Sequence, residues 1–184
     1  EDLSKAIHLN PFRLDFYELR GVCLGQNGNF LAAITDYDYV LRHNRWHQNV
    51  RFNKIISQIQ LKDYENATHA ADSFITHWPN FSKVYLAKVE ISLAQKDTIS
   101  ALSWADTLLK LTPQDANMWN FKGQYALRHK NYADADSFLT KAVLFLPNDA
   151  DSYLMRAAVR HGLRRYDDAI RDYDEVIRII PQHF

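Results

Sequence analysis

Apolar residues along the chain recur at the three- and four-residue spacing of one helix face. The clearest stretch carries Ala135, Phe138, Leu139, Ala142, Val143 and Leu146. This spacing predicts an amphipathic helix, which is expected to end at Pro147 because proline lacks an N–H and its ring blocks continuation. Upstream, the polar run HKNY predicts a turn, and Trp119, Gly123 and Leu127 mark one face of an earlier helix. The segment is therefore predicted to be a pair of helices joined by a short turn.

The same arrangement recurs with a period of 34 residues. The stretches AITDYDYVL and AIRDYDEVI begin at Ala33 and Ala169, which are 136 residues apart, or four times 34. Prolines share one register, in which Arg45 takes the remaining place: Pro11, Pro79, Pro113, Pro147 and Pro181. A fixed period of this length indicates a repeat array, in which each unit buries its apolar face against its neighbours.

Small and aromatic side chains follow the same period. Alanine recurs in the second helix at Ala33, Ala67, Ala101, Ala135 and Ala169, and Gly21, Gly123 and Ala157 stand at the facing position of the first helix. An aromatic residue opens the second helix at Phe30, Tyr64, Tyr132 and Tyr166. Taken with the period, these positions resemble the tetratricopeptide repeat family. The resemblance implies an all-α fold, a right-handed superhelix (solenoid) of antiparallel helix pairs.

Two repeats depart from this pattern. Thr98 replaces the aromatic residue that opens the second helix, and Ile55 and Val89 stand where the family prefers glycine or alanine. The helix pairs of repeats two and three are therefore expected to be spaced differently from the others.

The register divides the chain into one partial and five complete repeats. Residues 1–13 match a second helix whose first helix is missing, and the complete repeats span 14–47, 48–81, 82–115, 116–149 and 150–183. They are predicted to form one continuous solenoid. No polar closing helix follows the last repeat, so we expect a fragment of a longer array.

The last helix is predicted to expose an apolar stripe. Its members are Ile170, Tyr173, Val176, Ile177 and Ile180. Such an exposed stripe is expected to bind another copy of the chain or a neighbouring chain.

Composition and charge narrow the range of partners. The 22 basic and 22 acidic residues cancel, so no broad electrostatic field is available to attract nucleic acid, and nucleic-acid binding is not expected. Direct membrane insertion is not expected either. The single cysteine, Cys23, excludes an internal disulfide framework. Its place in the first helix predicts a small buried side chain.

Two clusters raise the question of catalytic or metal chemistry. Asp167, Asp168, Asp172, Asp174 and Glu175 crowd the last helix. A calcium loop needs a central glycine, and none occurs from position 163 onward, so these carboxylates are predicted to favour the helix dipole and face solvent. His43 and His47 lie four apart across a predicted turn without a nearby carboxylate or cysteine, which favours solvated or capping histidines. A metal or hydrolase site remains the less favoured alternative, and no cofactor is expected.

The family resemblance implies a ligand groove on the concave surface, lined by the first helices. The corresponding residues are Leu19, Val22, Phe52, Asn53, Ile56, Lys83, Leu86, Glu90, Asn117, Asn120, Phe121, Gln124, Leu154 and Met155. About half of them are expected to pack against the neighbouring helix instead. The chaperone-binding carboxylate clamp of the family is matched only at Asn53 and Lys83, and Glu18 would repel its ligand. The asparagine ladder of the family's glycosyltransferase is matched only at Asn53.

These observations favour a non-enzymatic scaffold that binds a protein or peptide segment in the concave groove. The alternative is a structural spacer, or a self-assembly part of a larger multidomain protein, with contacts through the ends of the solenoid.

Overall fold

The computed structural model of the protein describes residues 2–181, which form helices and no strand. The helices are α1 (Asp2–Leu9), α2 (Leu14–Gln26), α3 (Phe30–His43), α4 (Gln48–Gln60), α5 (Tyr64–His77), α6 (Ser82–Ala94), α7 (Thr98–Leu111), α8 (Ala116–Arg128), α9 (Tyr132–Phe145), α10 (Ala150–Gly162) and α11 (Tyr166–Ile179). From α2 onward they alternate between a first helix of 13 residues and a second helix of 14.

The chain divides into two compact units, one ending at Trp104 and one beginning at Ala105. In unit 1, α2 packs on α3 and α3 packs on α4. A core cluster of Ala33, Tyr37, Val40 and Val50 lies on α3 and α4, and partly buried side chains of α2 pack against it. In unit 2, α9 packs on both α8 and α10, and α10 packs on α11. The core cluster of this unit consists of Ala126, Ala135, Leu139 and Val159.

In the first four turns between a first and a second helix, one residue serves two purposes. After α4, the N–H of Lys62 donates to the carbonyl of Ile59, and the N–H of Asp63 donates to the carbonyl of Gln58. These two bonds form a Schellman motif that satisfies the last carbonyls of α4. The Asp63 side chain then accepts from the N–H of Asn66 and caps the start of α5. The turn therefore fixes the end of one helix and the start of the next.

The Schellman turn requires a left-handed backbone conformation at one position. Gly28 supplies it in the first repeat, with φ +78°. The later repeats place long cationic side chains there, at Lys62, Lys96, Lys130 and Arg164, with φ between 58° and 62°. A residue with a Cβ is strained in this region, so these four turns are less stable than glycine would make them.

Replacing Lys62 with glycine is therefore expected to raise the free energy of unfolding by about 0.5–1 kcal/mol, since relief of strain outweighs the greater freedom of glycine in the unfolded chain. Urea unfolding followed by circular dichroism measures the change. Glu90→Gly, in the exposed middle of α6, is the control and should lower stability by about the same amount. A loss of stability in Lys62→Gly would contradict the strain at this turn.

Helix pairs approach closely where a small residue faces a large one. A Cβ added to Gly21 would lie 2.6 Å from the ring of Tyr37, and one added to Gly123 would lie 2.6 Å from Cγ of Leu139. Repeat two exchanges the sizes. Ile55 occupies the Gly21 position and is buried, and the position of Tyr37 is taken by the buried Ala71.

The proline missing from the end of the first repeat also has a structural counterpart. Tyr85 donates its hydroxyl to the carbonyl of Pro79, and the indole of Trp119 donates to that of Pro113, in both cases six residues earlier. In repeat two, Arg51 donates its Nε to the carbonyl of Arg45. The link between the loop and the first helix is thus kept with a different donor.

Cys23 lies on the surface of α2, so the prediction that it is buried is wrong. The equivalent residue of α4, Ser57, is buried close to Gly25 of the preceding first helix. No first helix precedes α2 in the described residues 2–181, and Cys23 therefore has no such neighbour.

Candidate functional site

Lysines at one position of the first helices pair with carboxylates of the preceding repeat. Lys54 lies 2.5 Å from a carboxylate oxygen of Asp38, and Lys88 lies 2.7 Å from one of Asp72. In unit 2, Lys122 pairs with Asp106 in the same way. Each carboxylate lies 16 residues before its lysine, on the second helix of the preceding repeat. These ion pairs therefore serve the packing of repeats.

Arginine at this position instead pairs within its own repeat. Arg20 donates two hydrogen bonds to Asp36, at 2.8 and 2.6 Å. Arg156 donates two to Asp172, at 3.0 and 2.6 Å. A guanidinium matches both carboxylate oxygens at once, so this geometry is fixed as well as strong.

The prediction that Asp172 faces solvent is wrong. Asp172 is only 2% exposed, and Arg156 and Arg160 both pair with its carboxylate. Arg160 also pairs with Asp136. The buried carboxylate is thus neutralised by two cations.

The remaining acidic residues of α11 do not form a site. Asp167 and Asp174 are exposed, and Asp168 is held by Arg165, whose hydrogen bond lowers the pKa of that carboxyl. Within residues 2–181, no cluster of three or more His, Cys, Asp or Glu residues is suited to hold a metal ion. The two histidines of the predicted turn also contact different groups. His43 bonds the carbonyl of Tyr39, and His47 lies 3.3 Å from Glu18.

In unit 1, the predicted groove residues fall into two groups. Leu19 and Leu86 are 53% and 45% exposed, and Lys83 and Glu90 are also exposed. The half-buried members, Val22, Asn53 and Ile56, line an open cavity of about 260 Å³. This cavity lies among α2, α3 and α4.

Phe52 is used differently. Its ring makes edge contacts with Phe74 at 6.1 Å and Phe81 at 5.0 Å between ring centroids. Phe74 is fully buried. Phe52 therefore packs at the junction between α4, α5 and the start of α6, and a charge placed there would disturb the core of unit 1.

In unit 2, Asn117, Gln124 and Leu154 are exposed, and Phe121 is half-buried. Met155 packs against the core cluster of this unit. The side chain of Asn120 is committed to Asp149 and Ser152, at 3.0 and 2.6 Å, where α10 begins. As in unit 1, part of the predicted groove serves packing.

Five residues that line the cavity in unit 1 were not among the predicted groove residues: Gly25, Gln26, Phe30, Tyr37 and Ser57. Two of them come from α3, the second helix, which the family resemblance does not place in the groove. A sequence signal existed, since Gly25 leaves space beside Tyr37 and Ser57.

The apolar stripe predicted on α11 is only partly exposed. Ile170, Tyr173 and Ile177 are exposed and Ile180 is half-buried, but Val176 is buried at 6% exposure. The prediction that Val176 is exposed is therefore wrong. Its position on α11 is four residues after Asp172, on the face turned to α10.

None of the helices within residues 2–181 is both long enough and apolar enough to cross a membrane.

Comparison with known proteins identifies the repeat. Family models described as "Tetratricopeptide repeat" match residues 100–143 and 150–183. The small glutamine-rich tetratricopeptide repeat-containing protein 2 of Saccharomyces cerevisiae is 33% identical over 96 residues, which is 52% of this chain. The chain covers 24% of the length of that yeast protein.

Solved structures share the fold at low sequence identity. "MamA 41-end from Desulfovibrio magneticus RS-1" is 16% identical with a TM-score of 0.76, covering 94% of this chain and 97% of that one. YrrB, described as "a TPR protein with an unusual peptide-binding site", is 16% identical with a TM-score of 0.71, covering 100% of this chain and 94% of its own. At these identities the similarity concerns the fold, and it confirms the predicted all-α solenoid of helix pairs.

Proposed function

The chain belongs to the tetratricopeptide repeat family, whose fold supports protein–protein interaction, and we propose that it binds a segment of a partner protein on the face of its first helices in unit 1. The family models that match are those of an interaction repeat and indicate no catalytic family.

The observation that carries this proposal is the open cavity among α2, α3 and α4. Elsewhere on the predicted groove, Phe52 and Met155 pack against neighbouring helices, and the side chain of Asn120 hydrogen-bonds Ser152. Val22, Asn53 and Ile56 instead surround a concave space, and the exposed Leu19 lies one turn of α2 before it. A pocket with apolar walls beside an exposed leucine offers the anchor that an extended peptide needs. YrrB, which has the same fold, is described as having a peptide-binding site.

Site-specific photo-crosslinking tests the proposal. A benzophenone amino acid is placed at Leu19, and the full chain is irradiated in an extract of the source cells. The matched control carries the same group at Leu144, a leucine 69% exposed on the second helix α9. A partner joined at Leu19 and absent at Leu144 is the expected result, and mass spectrometry then locates the joined peptide. Equal products at both positions would contradict binding at the first-helix face.

The exposed face of α11 favours the alternative function, a structural or self-assembling part of a larger protein. Ile170 and Ile177 are 57% and 47% exposed on one side of this helix. A third variant, with the benzophenone at Ile177, decides between the two functions. Chain-to-chain products at Ile177, with none at Leu19, would replace partner binding by self-association.

A further inference from the structure

The hydroxyl of Tyr37 faces the cavity of unit 1 without a protein partner. The residue is 2% exposed, yet none of the hydrogen bonds among the described residues 2–181 uses its Oη. This oxygen lies 3.8 Å from where a Cβ on Gly25 would stand, and Ser57 Oγ lies 3.9 Å from the same point. Two hydroxyls therefore lie near the same point beside Gly25.

The hydroxyl oxygen of Tyr37 is accessible from the cavity, since it is not among the fully buried side-chain atoms that lack a hydrogen-bond partner within residues 2–181. A group that enters the cavity can therefore hydrogen-bond this hydroxyl, because Tyr37, Ser57 and Gly25 all line the space. Burial raises the pKa of Tyr37 to about 12. The phenol is consequently neutral at physiological pH and can both donate and accept a hydrogen bond.

The lining of the cavity defines the chemistry of an occupant. All eight lining residues are uncharged, so a charged group would lose its hydration without gaining an opposite charge. Val22, Ile56 and the ring of Phe30 form apolar walls, and the volume of about 260 Å³ is below that of most small-molecule sites, roughly 300–1,000 Å³. The space suits one side chain with an apolar body and a neutral polar tip.

We propose that this cavity is a specificity pocket for a tyrosine side chain of the bound partner segment. The proposal rests on the proposed function and names the residue that anchors the partner. The ring of the ligand would lie against Phe30, with which an aromatic group makes a favourable edge or offset contact. Its hydroxyl would hydrogen-bond the hydroxyls of Tyr37 and Ser57. It would thereby reproduce the hydrogen bonds of a water molecule in the cavity, which an aliphatic side chain would displace without forming any.

Titration with blocked amino acids tests the pocket directly. N-acetyl-tyrosinamide and N-acetyl-phenylalaninamide differ only in the hydroxyl group, and both are neutral. The protein carries ¹⁵N, and the amide shifts of Gly25, Tyr37 and Ser57 report occupation of the cavity. We expect saturable shifts at these residues with the tyrosine compound, and about tenfold weaker binding of the phenylalanine compound, which corresponds to one hydrogen bond.

Three variants assign that preference to the pocket. Tyr37→Phe and Ser57→Ala each remove one hydroxyl. Each should bring the affinity for the tyrosine compound closer to that for the phenylalanine compound. Ser57→Ala keeps the test valid if Tyr37→Phe does not fold. Tyr125→Phe removes a hydroxyl from α8 in unit 2, outside the cavity, and should leave the preference intact.

Gly25→Ala adds a separate readout. Its Cβ would make only ordinary contacts with the two hydroxyls, at 3.8 and 3.9 Å, so it should leave the helix intact while narrowing the pocket. We expect the affinity for the tyrosine compound to fall at least fivefold. In binding free energy, this is about half the effect of deleting a bulky anchor residue.

Equal binding of the two compounds would overturn the role of the hydroxyls, and an absence of shifts at the cavity would overturn the pocket itself. Either result is distinguishable from failure of the proposed function, since a partner crosslinked specifically at Leu19 would still show binding at this face.

Discussion

Replacing Asp172 with alanine is expected to lower the free energy of unfolding by about 3–5 kcal/mol, the usual cost of breaking a buried ion pair by removing one partner. The side chain of Asp172 is 3% exposed, and those of Arg156 and Arg160 are 11% and 13% exposed. Without the carboxylate, the guanidinium of Arg156 would remain buried and would keep, among the described residues, one hydrogen bond, to the hydroxyl of Thr140 at 3.4 Å. Urea unfolding of the full chain, followed by circular dichroism, measures the loss.

The neighbouring Asp174 is the natural control, because it belongs to the same Asp-Tyr-Asp run but is exposed. Asp174→Ala should change stability by less than about 0.5 kcal/mol. A double variant, Arg156→Met with Asp172→Leu, should recover most of the loss, because an apolar pair of similar volume avoids the cost of burying charge. Similar stability of Asp172→Ala and Asp174→Ala would show that the buried network contributes little.

Isoleucine at Gly123 is expected to destabilise unit 2 by about 3 kcal/mol or more, at the upper end of overpacking effects. The added Cβ alone would lie 2.6 Å from Cγ of Leu139, and the fully buried Leu139 has no room to move. Leu139→Ala by itself should cost about 2–5 kcal/mol through the cavity it leaves.

The two changes together reproduce the arrangement of repeat two, where Ile55 and Ala71 stand at the equivalent positions. The double variant should therefore be more stable than the sum of the single effects predicts, by about 1–3 kcal/mol. A double-mutant cycle by urea unfolding measures this coupling energy. Strictly additive effects would mean that the sizes of the two side chains are chosen independently.

The parts of the structure that sequence could predict are those fixed by local chemistry. Pro147 comes directly after Leu146, the C-cap of α9, and the polar run before Tyr132 is a Schellman turn in the structure. Helix type and repeat period follow from such features because each depends on residues a few positions apart.

The fate of Asp172 was not predicted because it depends on a residue of another helix. Its neighbours in sequence are acidic, which favours a solvent-facing interpretation, but its partner Arg156 lies 16 residues earlier. The pair Arg20 and Asp36 has the same spacing. Comparing these two repeats for paired charges, and not only for apolar positions, would have found both ion pairs.

The candidate pocket was missed for a different reason. The family resemblance directs attention to the first helices, whereas Tyr37 reaches the cavity from α3. Its exposure to a ligand depends on the missing side chain of Gly25. Cys23 illustrates the same limitation, because whether a helical position is covered depends on the helix that lies beside it.

The lysine pairs between repeats have a consequence for how the length of such a chain can change. Lys54, Lys88 and Lys122 occupy equivalent positions, and so do their partners Asp38, Asp72 and Asp106. An in-frame loss of residues 82–115 would present Lys122 to Asp72, and a duplication of the same segment would create one further pair. The middle repeats are therefore interchangeable at their junctions. Recombination in whole multiples of the repeat leaves each of these lysines with an aspartate partner.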